Sequence, residues 1–377
     1  MNILVFSWRD PKHPLAGGAE QVMHEHMKGW VAKGHSVTLF ASYQDGLREE
    51  ESLDGIKIIR NGSQYLGVQV AGFFYYLKNR KNFDFVVDQF HGIPFFTPLF
   101  VSKPKLAVIQ EPAREVWFTN PLPTPLNWLV GLLGYLLEPA IFLLYKNTYF
   151  MTGSASAKGE VAELGIPVKK ITVVPHGVIL AGKATDIRSK MSDVKTVTYL
   201  GIISKDKGIE DALHAFSLLK DFGKYRFWVT GRAETKSYEG RIKRLTKKLG
   251  LLGSVKFWGH VSNKKKFELL AKTDILINPS IREGWGLVNI EANSVGTPVV
   301  AYNSAGLVDS VSDGQSGIIT RENSPSILAE EIESLLNDTA KYKKLSEGAV
   351  RWSKNFDWDK SRELSLKLVE KISNGKK

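Results

Sequence analysis

The sequence predicts an α/β chain of two doubly wound domains facing each other across a cleft. Three observations carry this. The 377 residues exceed one ordinary hydrophobic core and suit two domains of average size. Short continuous apolar runs alternate with amphipathic stretches almost throughout, the pattern of parallel strands covered on both faces by helices. One polar stretch without periodicity, AGKATDIRSKMSD at 181–193, separates two sets of such runs and reads as a linker. The expected division is a first domain over 1–180, the linker, a second domain over 194–355, and a final helix over 356–377 that packs back across the domains.

Along the first domain the strand candidates are NILVF, SVTLF, IKIIR, DFVVDQ, KLAVIQ, TYFMTG and ITVVP. The opening run has no basic leader and no cleavage site, which predicts no signal peptide and a cytoplasmic protein. Gly17 and Gly18 precede a helix whose Met23, Met27, Trp30 and Val31 form one apolar stripe. The first N–H groups of that helix lack internal partners and are expected to face a ligand in the cleft. Five of the fifteen prolines fall between Pro112 and Pro139, which predicts an irregular wall. Within it, WLVGLLGYLLEPAIFLLY runs from Trp128 to Tyr145. Glu138-Pro139 interrupts its apolar run, so the favoured reading is a buried helical hairpin, and the alternative a face that dips into a bilayer.

The second domain offers TVTYLG, RFWVTG, VKFWG, DILINP and PVVAY as strands. After DILINP the loop IREGWG leads into LVNIEANSVG, a helix with Gly296 as its stop. The N–H groups near Gly286, Leu287 and Val288 form an anion site at the positive end of the helix dipole. Gly284 and Gly286 let a ligand approach the backbone. Glu283 stands in the loop, and Glu291 about one turn inside the helix, leaning back toward the same mouth. A carboxylate accepts two hydrogen bonds at once, which suits neighbouring hydroxyls. The constellation fits phosphates flanked by polyols, the shape of a nucleotide sugar.

Composition narrows the classes. The chain is 43% hydrophobic and 24% charged, ordinary for a globular protein, and without cysteine it has no disulfide, thiolate metal site or thiol nucleophile. The formal charge of +12 favours an anionic partner, and the basic runs RIKRLTKKLG and NKKK read as solvated faces or as contacts with an acidic membrane. Aromatic residues do not alternate with the lysines, so no nucleic acid is expected. His24 and His26 point to opposite sides of their helix and cannot share an ion, and the Asp357–Asp359 pair opens the tail helix as caps, so no metal is predicted. His176, in VVPHGV, is given a structural or hinge role. No G-x-G-x-x-G follows the first strand and no P-loop motif occurs, which argues against a dehydrogenase and a P-loop NTPase.

EGWGLVNIEA followed by GTPVVA resembles the E-x7-E signature of the retaining glycosyltransferases of family 4. GGAEQVMHEHMKGWVAKGHSV, AREVWF, VVPHGV, YLGIISKDKGIEDALHAF and VKFWGHVSNKKKFELLAKTD fall in that family's order over nearly the whole chain. The resemblance implies the GT-B fold of two Rossmann-like domains, the first on the acceptor side and the second binding the nucleotide sugar. It implies transfer of a hexose from a UDP-, GDP- or ADP-sugar to a hydroxyl of a glycan, polysaccharide precursor or lipid-linked sugar, without cofactor. Apart from the resemblance, the basic runs and the apolar segment leave peripheral contact with the inner face of the cell membrane as the alternative to a purely cytoplasmic location. The resemblance gives Glu291 the ribose, Glu283 the hydroxyls of the transferred sugar, and the backbone of Gly284, Trp285, Gly286 and Leu287 the sugar or phosphate oxygens. Lys207 matches the diphosphate lysine. The family's arginine is replaced by Ile202, with Lys205 or Arg232 as substitutes, and a histidine facing the sugar is replaced by Gln110. Glu283, Gln110 and Lys207 are therefore the expected catalytic residues. The rival readings are a sugar epimerase or phosphorylase of the same fold, and a non-catalytic sugar-nucleotide or glycan binding protein.

Overall fold

The structure is a computed structural model and describes residues 1–377 except 65, 91, 121, 179–193, 220–224 and 376–377, with only the backbone of residue 119. The expected linker at 181–193 lies outside the described residues. The chain divides into two compact units, Met1–Gly177 with Trp358–Lys377, and Val178–Asp357.

The first unit contains β1 (Asn2–Phe6), α1 (Gly18–Ala32), β2 (Ser36–Ala41), β3 (Glu50–Leu53), β4 (Ile56–Arg60), α2 (Leu66–Asn79), β5 (Phe85–Gln89) and β6 (Lys105–Val108). It continues through α3 (Leu126–Leu144), β7 (Tyr149–Thr152), α4 (Ala155–Glu163) and β8 (Ile171–Val173). The strands lie in the order β3-β4-β2-β1-β5-β6-β7-β8. All pairs are parallel except β3, an antiparallel edge strand of sequence EESL that carries no apolar run. Met23, Met27 and Trp30 of α1 are buried as their spacing predicts.

The second unit runs β9 (Lys195–Leu200), α5 (Ile209–Leu219), β10 (Tyr225–Thr230), α6 (Lys236–Lys248), β11 (Val255–Gly259), α7 (Asn263–Ala271), β12 (Ile275–Asn278) and α8 (Leu287–Ser294). Then come β13 (Val299–Ala301), α9 (Leu307–Ser310), β14 (Gly317–Ile319), α10 (Pro325–Asn337) and α11 (Thr339–Ser353). Its parallel sheet has the order β11-β10-β9-β12-β13-β14, so the chain winds outward from β9, returns, and winds the other way from β12. The carboxyl ends of β9 and β12 therefore flank the switch point, where a doubly wound sheet leaves a crevice. The last helix, α12 (Trp358–Asn374), returns to the first unit, where Trp30 Nε1 donates to Ser365 Oγ across 3.1 Å.

The segment from Trp128 to Tyr145 departs from the favoured reading. It is one helix rather than a hairpin, it continues through Pro139, and most of its apolar side chains are exposed rather than buried. Its inner face explains why it holds. Glu138 is buried and accepts the N–H groups of Ala113 and Arg114 at 2.7 Å each, while Gly131 and Gly134 lie flat against Phe118 and Trp117.

Asp88 anchors the base of this region. It is fully buried at the middle of the sheet and accepts hydrogen bonds from the Phe95 and Thr97 N–H groups, the Thr97 hydroxyl and the Tyr145 hydroxyl. Burial pushes its carboxyl above the usual range, and the donated hydrogen bonds oppose that rise. Asp88→Ala, which leaves several buried donors without an acceptor, is expected to cost about 3–5 kcal/mol. Urea unfolding of the full chain measures it.

Candidate functional site

The mouth of α8 is built by two glycines. Gly286 is its N-cap with φ +84°, and a Cβ there would stand 2.8 Å from Asn289 Nδ2 and Ser310 Oγ. Gly306 lets the neighbouring loop approach so closely that a Cβ would lie 1.9 Å from the Glu283 carbonyl oxygen. A buried chain of amides holds this arrangement. Ser280 Oγ donates to Asn278 Oδ1, Asn278 Nδ2 to Asn289 Oδ1, and Asn289 Nδ2 to Ser310 Oγ, each within 2.9 Å. The N–H groups of Leu287 and Val288 make no hydrogen bond among the described residues. Gly296 has φ +76° just past the end of α8, the stop its position predicts.

Lys207 and Glu283 meet here. The Lys207 ammonium donates to Glu283 Oε2 at 2.9 Å and to the Arg282 carbonyl at 3.2 Å, and both side chains are about a quarter exposed, at 22% and 25%. Their loops are joined through the Ile281 N–H, which donates to the Asp206 carbonyl at 2.9 Å. They leave β9 and β12, the two strands at the switch point. Arg232 follows β10, and its carbonyl accepts the Ile203 N–H at 2.9 Å, which brings its loop beside that of Lys207. Lys205 is exposed on the Lys207 loop, as is Ile202. Trp285 contributes its backbone to the loop, but its indole is buried against Phe356 with ring centroids 5.2 Å apart. That side chain is part of the packing because apolar Val178, Ile290 and Phe356 close over it.

Glu291 is buried, at 6% exposure, and Lys266 of α7 donates to its Oε1 at 2.5 Å. Burial pushes its carboxyl above the ordinary range, and the Lys266 charge pulls it back. Sequence reasoning missed Lys266 by reading NKKK as a solvated face. The signal was present, since Lys266 precedes the buried Leu269 and Leu270 by three and four positions and shares their helix face.

In the first unit the glycine loop differs from expectation. The Gly17 N–H donates to Glu20 Oε2 at 2.6 Å, and Glu20 is held by Arg9 at 3.1 Å. Gly17 therefore does not offer its N–H to a ligand, because a capping carboxylate of the same helix has taken it. Gly18 is the first residue of α1 behind this cap.

Gln110 and His176 come together, a pairing that sequence did not reveal. The His176 Nε2–H donates to Gln110 Oε1 at 2.6 Å, which fixes the amide with its oxygen toward the histidine. Gly153 makes room, since a Cβ there would stand 2.3 Å from His176 Nε2. His26 lies beside His176, the ring centroids 6.5 Å apart, while His24 turns instead to Asp54 at 2.8 Å.

Both buried rings are held near pKa 3, below the ordinary 6.5, His176 by burial and His26 by burial together with its neighbours His176 and Arg362. The unfolded chain takes up these protons below pH 6.5 and the folded chain only near pH 3. The stability they carry is complete above pH 6.5 and is lost as pH falls, at up to about 1.4 kcal/mol per pH unit for each ring. Urea midpoints between pH 7 and pH 5 should fall accordingly, and His26→Phe should make the decline shallower.

Two family models match the chain. One, described as "Glycosyl transferases group 1", covers residues 184–352, and one described as "Glycosyltransferase Family 4" covers residues 16–181. Glycogen synthase of Mycobacterium tuberculosis is 29% identical over 239 residues, which are 62% of this chain and 56% of that protein. The chain spans only part of the length of the curated relatives it matches, from 56% of that glycogen synthase down to 30% of the D-inositol 3-phosphate glycosyltransferase of Streptomyces bingchenggensis. Among solved structures, sucrose-phosphate synthase of Thermosynechococcus elongatus is 18% identical with a TM-score of 0.81, covering 98% of both chains. HepE of Anabaena, crystallised with UDP-glucose, is 17% identical with a TM-score of 0.73, over 98% of this chain and 99% of that one. Both share the GT-B fold of two Rossmann-like units.

Proposed function

The chain belongs to the family 4 glycosyltransferases, and from that premise we propose that it transfers a hexose from a nucleoside diphosphate sugar to a hydroxyl acceptor with retention of configuration. The acceptor hydroxyl lies on a glycan, a polysaccharide precursor or a lipid-linked sugar. The observation that carries this reading is the Lys207–Glu283 pair beside the open N–H groups of Leu287 and Val288. UDP-glucose bound by HepE, a protein of the same fold, supports a nucleotide sugar as donor.

In this reading the lysine turns from Glu283 to the diphosphate when the donor enters. Glu283 then accepts hydrogen bonds from two hydroxyls of the hexose. As the bond between the anomeric carbon and the phosphate oxygen breaks, negative charge grows on the nucleoside diphosphate. Lys207 and the helix N–H groups oppose that charge, which is where an enzyme of this kind lowers its barrier. The acceptor oxygen bonds to the anomeric carbon on the same face, and its proton passes to the leaving phosphate. Arg232 and Lys205 add positive charge from adjoining loops, so the reaction calls for no metal. Gln110, its carbonyl engaged by His176, offers its amide N–H to a sugar hydroxyl. Glu291, with Lys266 beside it, accepts the ribose hydroxyls.

Lys207→Ala is expected to lower donor turnover by about 10²–10³, with the melting temperature unchanged and no response to EDTA in either protein. NMR of the product reads the anomeric configuration, and an inverted product or undiminished turnover overturns the reading. Lys266→Met leaves Glu291 buried without its cation, so its carboxyl holds a proton to higher pH. The donor KM of that variant should rise about tenfold near neutrality and recover as pH increases. Thermal shifts with UDP-, GDP- and ADP-sugars identify the base, because the ligand that binds raises the melting temperature.

A further inference from the structure

The first unit exposes apolar side chains on two helices. On α3, Trp128, Leu129, Leu132, Leu133, Tyr135, Leu136 and Leu137 are all exposed, Trp128 at 65%. At 100° per residue these positions sweep roughly 200° of the helix. The inner face is the narrow remainder, formed by Gly131, Gly134, Glu138 and Phe142. Glu138 is the single charged residue in the 19 of α3, and it is buried under two backbone N–H groups. On α2, Leu66, Val70, Phe74 and Leu77 form a second exposed stripe at helical spacing. The two helices are linked by the turn around Leu99, itself 67% exposed. There the Thr97 N–H meets the Tyr145 hydroxyl at 3.2 Å, and the Phe100 ring packs edge-on to Phe73.

We propose that this face of the first unit, α3 with the outer stripe of α2, docks into the surface of an anionic lipid bilayer, with α3 lying in the plane of the membrane. The sweep of exposure decides between occupants. A second protein covers one side of a helix, whereas acyl chains close around a ridge from several sides at once. The charge pattern agrees with lipid. Lys78 stands in the last turn of α2 with Arg80 and Lys81 just beyond it, and Lys146, Lys169 and Lys170 gather at the end of α3, where Lys170 Nζ donates to the Asn147 carbonyl at 2.7 Å and lies over the Tyr149 ring. Apolar ridges that end in lysine and arginine match acyl chains bordered by acidic headgroups. Trp128 and Tyr135 are the side chains that settle at that boundary. By length and composition alone α3 could cross a membrane, but its inner face is clamped along the unit by the glycines and Glu138, which sets it in the plane.

Docking bears on the transferase reading through Glu138, whose two oxygens hold the N–H groups of Ala113 and Arg114, three and four residues after Gln110. The helix in the bilayer thus positions the loop that leaves Gln110, and an amphiphilic acceptor is delivered at that level. The docking itself does not depend on the donor chemistry.

Flotation of the full chain with phosphatidylcholine vesicles, with and without phosphatidylglycerol, tests it. Wild type should float with the anionic vesicles and bind the neutral ones more weakly. Leu132→Glu with Leu136→Glu, on exposed positions, should lower binding at least about a hundredfold. Lys78→Ala with Arg80→Ala and Lys81→Ala should lower it about a hundredfold on anionic vesicles only. Donor thermal shifts should be unchanged in both variants, which separates this test from the donor reading. The proposal is overturned if wild type stays with the supernatant, if the double glutamate variant floats equally well, or if sedimentation velocity shows a vesicle-free dimer that the glutamates dissociate.

Discussion

The second unit is organised around one close approach: the backbone of Glu283 rests on Gly306 with no space for a β carbon between them. That contact, with the left-handed turn at Gly286, aims the first peptide groups of α8 at the crevice beyond β9 and β12. The buried amides of Asn278 and Asn289 and the Ser310 hydroxyl then keep strand end, helix mouth and adjoining loop in one register. Any larger residue at Gly306 would lift the loop and carry Glu283 away from Lys207.

The two acidic residues of the signature differ in kind although each has a lysine. The pair at Glu283 is partly open to water and made between loops, so its members can exchange partners when a ligand arrives. The pair at Glu291 is buried between α7 and α8, and removing either charge there strands the other. One is a replaceable contact and the other a fixed part of the frame.

Much of this was legible in the sequence because it rests on local patterning. The parallel strands are unbroken apolar runs, the helix from Leu287 to its stop at Gly296 is bounded by glycines, and Glu283 is set by its place in a glycine loop. The edge strand β3 was not legible, since EESL owes its pairing to β4 rather than to its own composition. Nor were Lys266 and His176, whose meaning lies in partners 25 and 66 positions away. Gly17 was misread because Glu20, three residues on, closes the loop from within. In α3 the proline suggested a break, but the helix is held by contacts of Glu138 with a distant loop that no local rule encodes.

The return of α12 to the first unit has a consequence for synthesis. Leu366, Val369 and Ile372 complete the packing over Met23, Met27 and Trp30, yet they are translated after the whole of the second unit. On the ribosome the earlier-made half waits with that patch of α1 uncovered, and it closes only when the last helix leaves the exit tunnel. The second unit, continuous in the chain, is free to finish first.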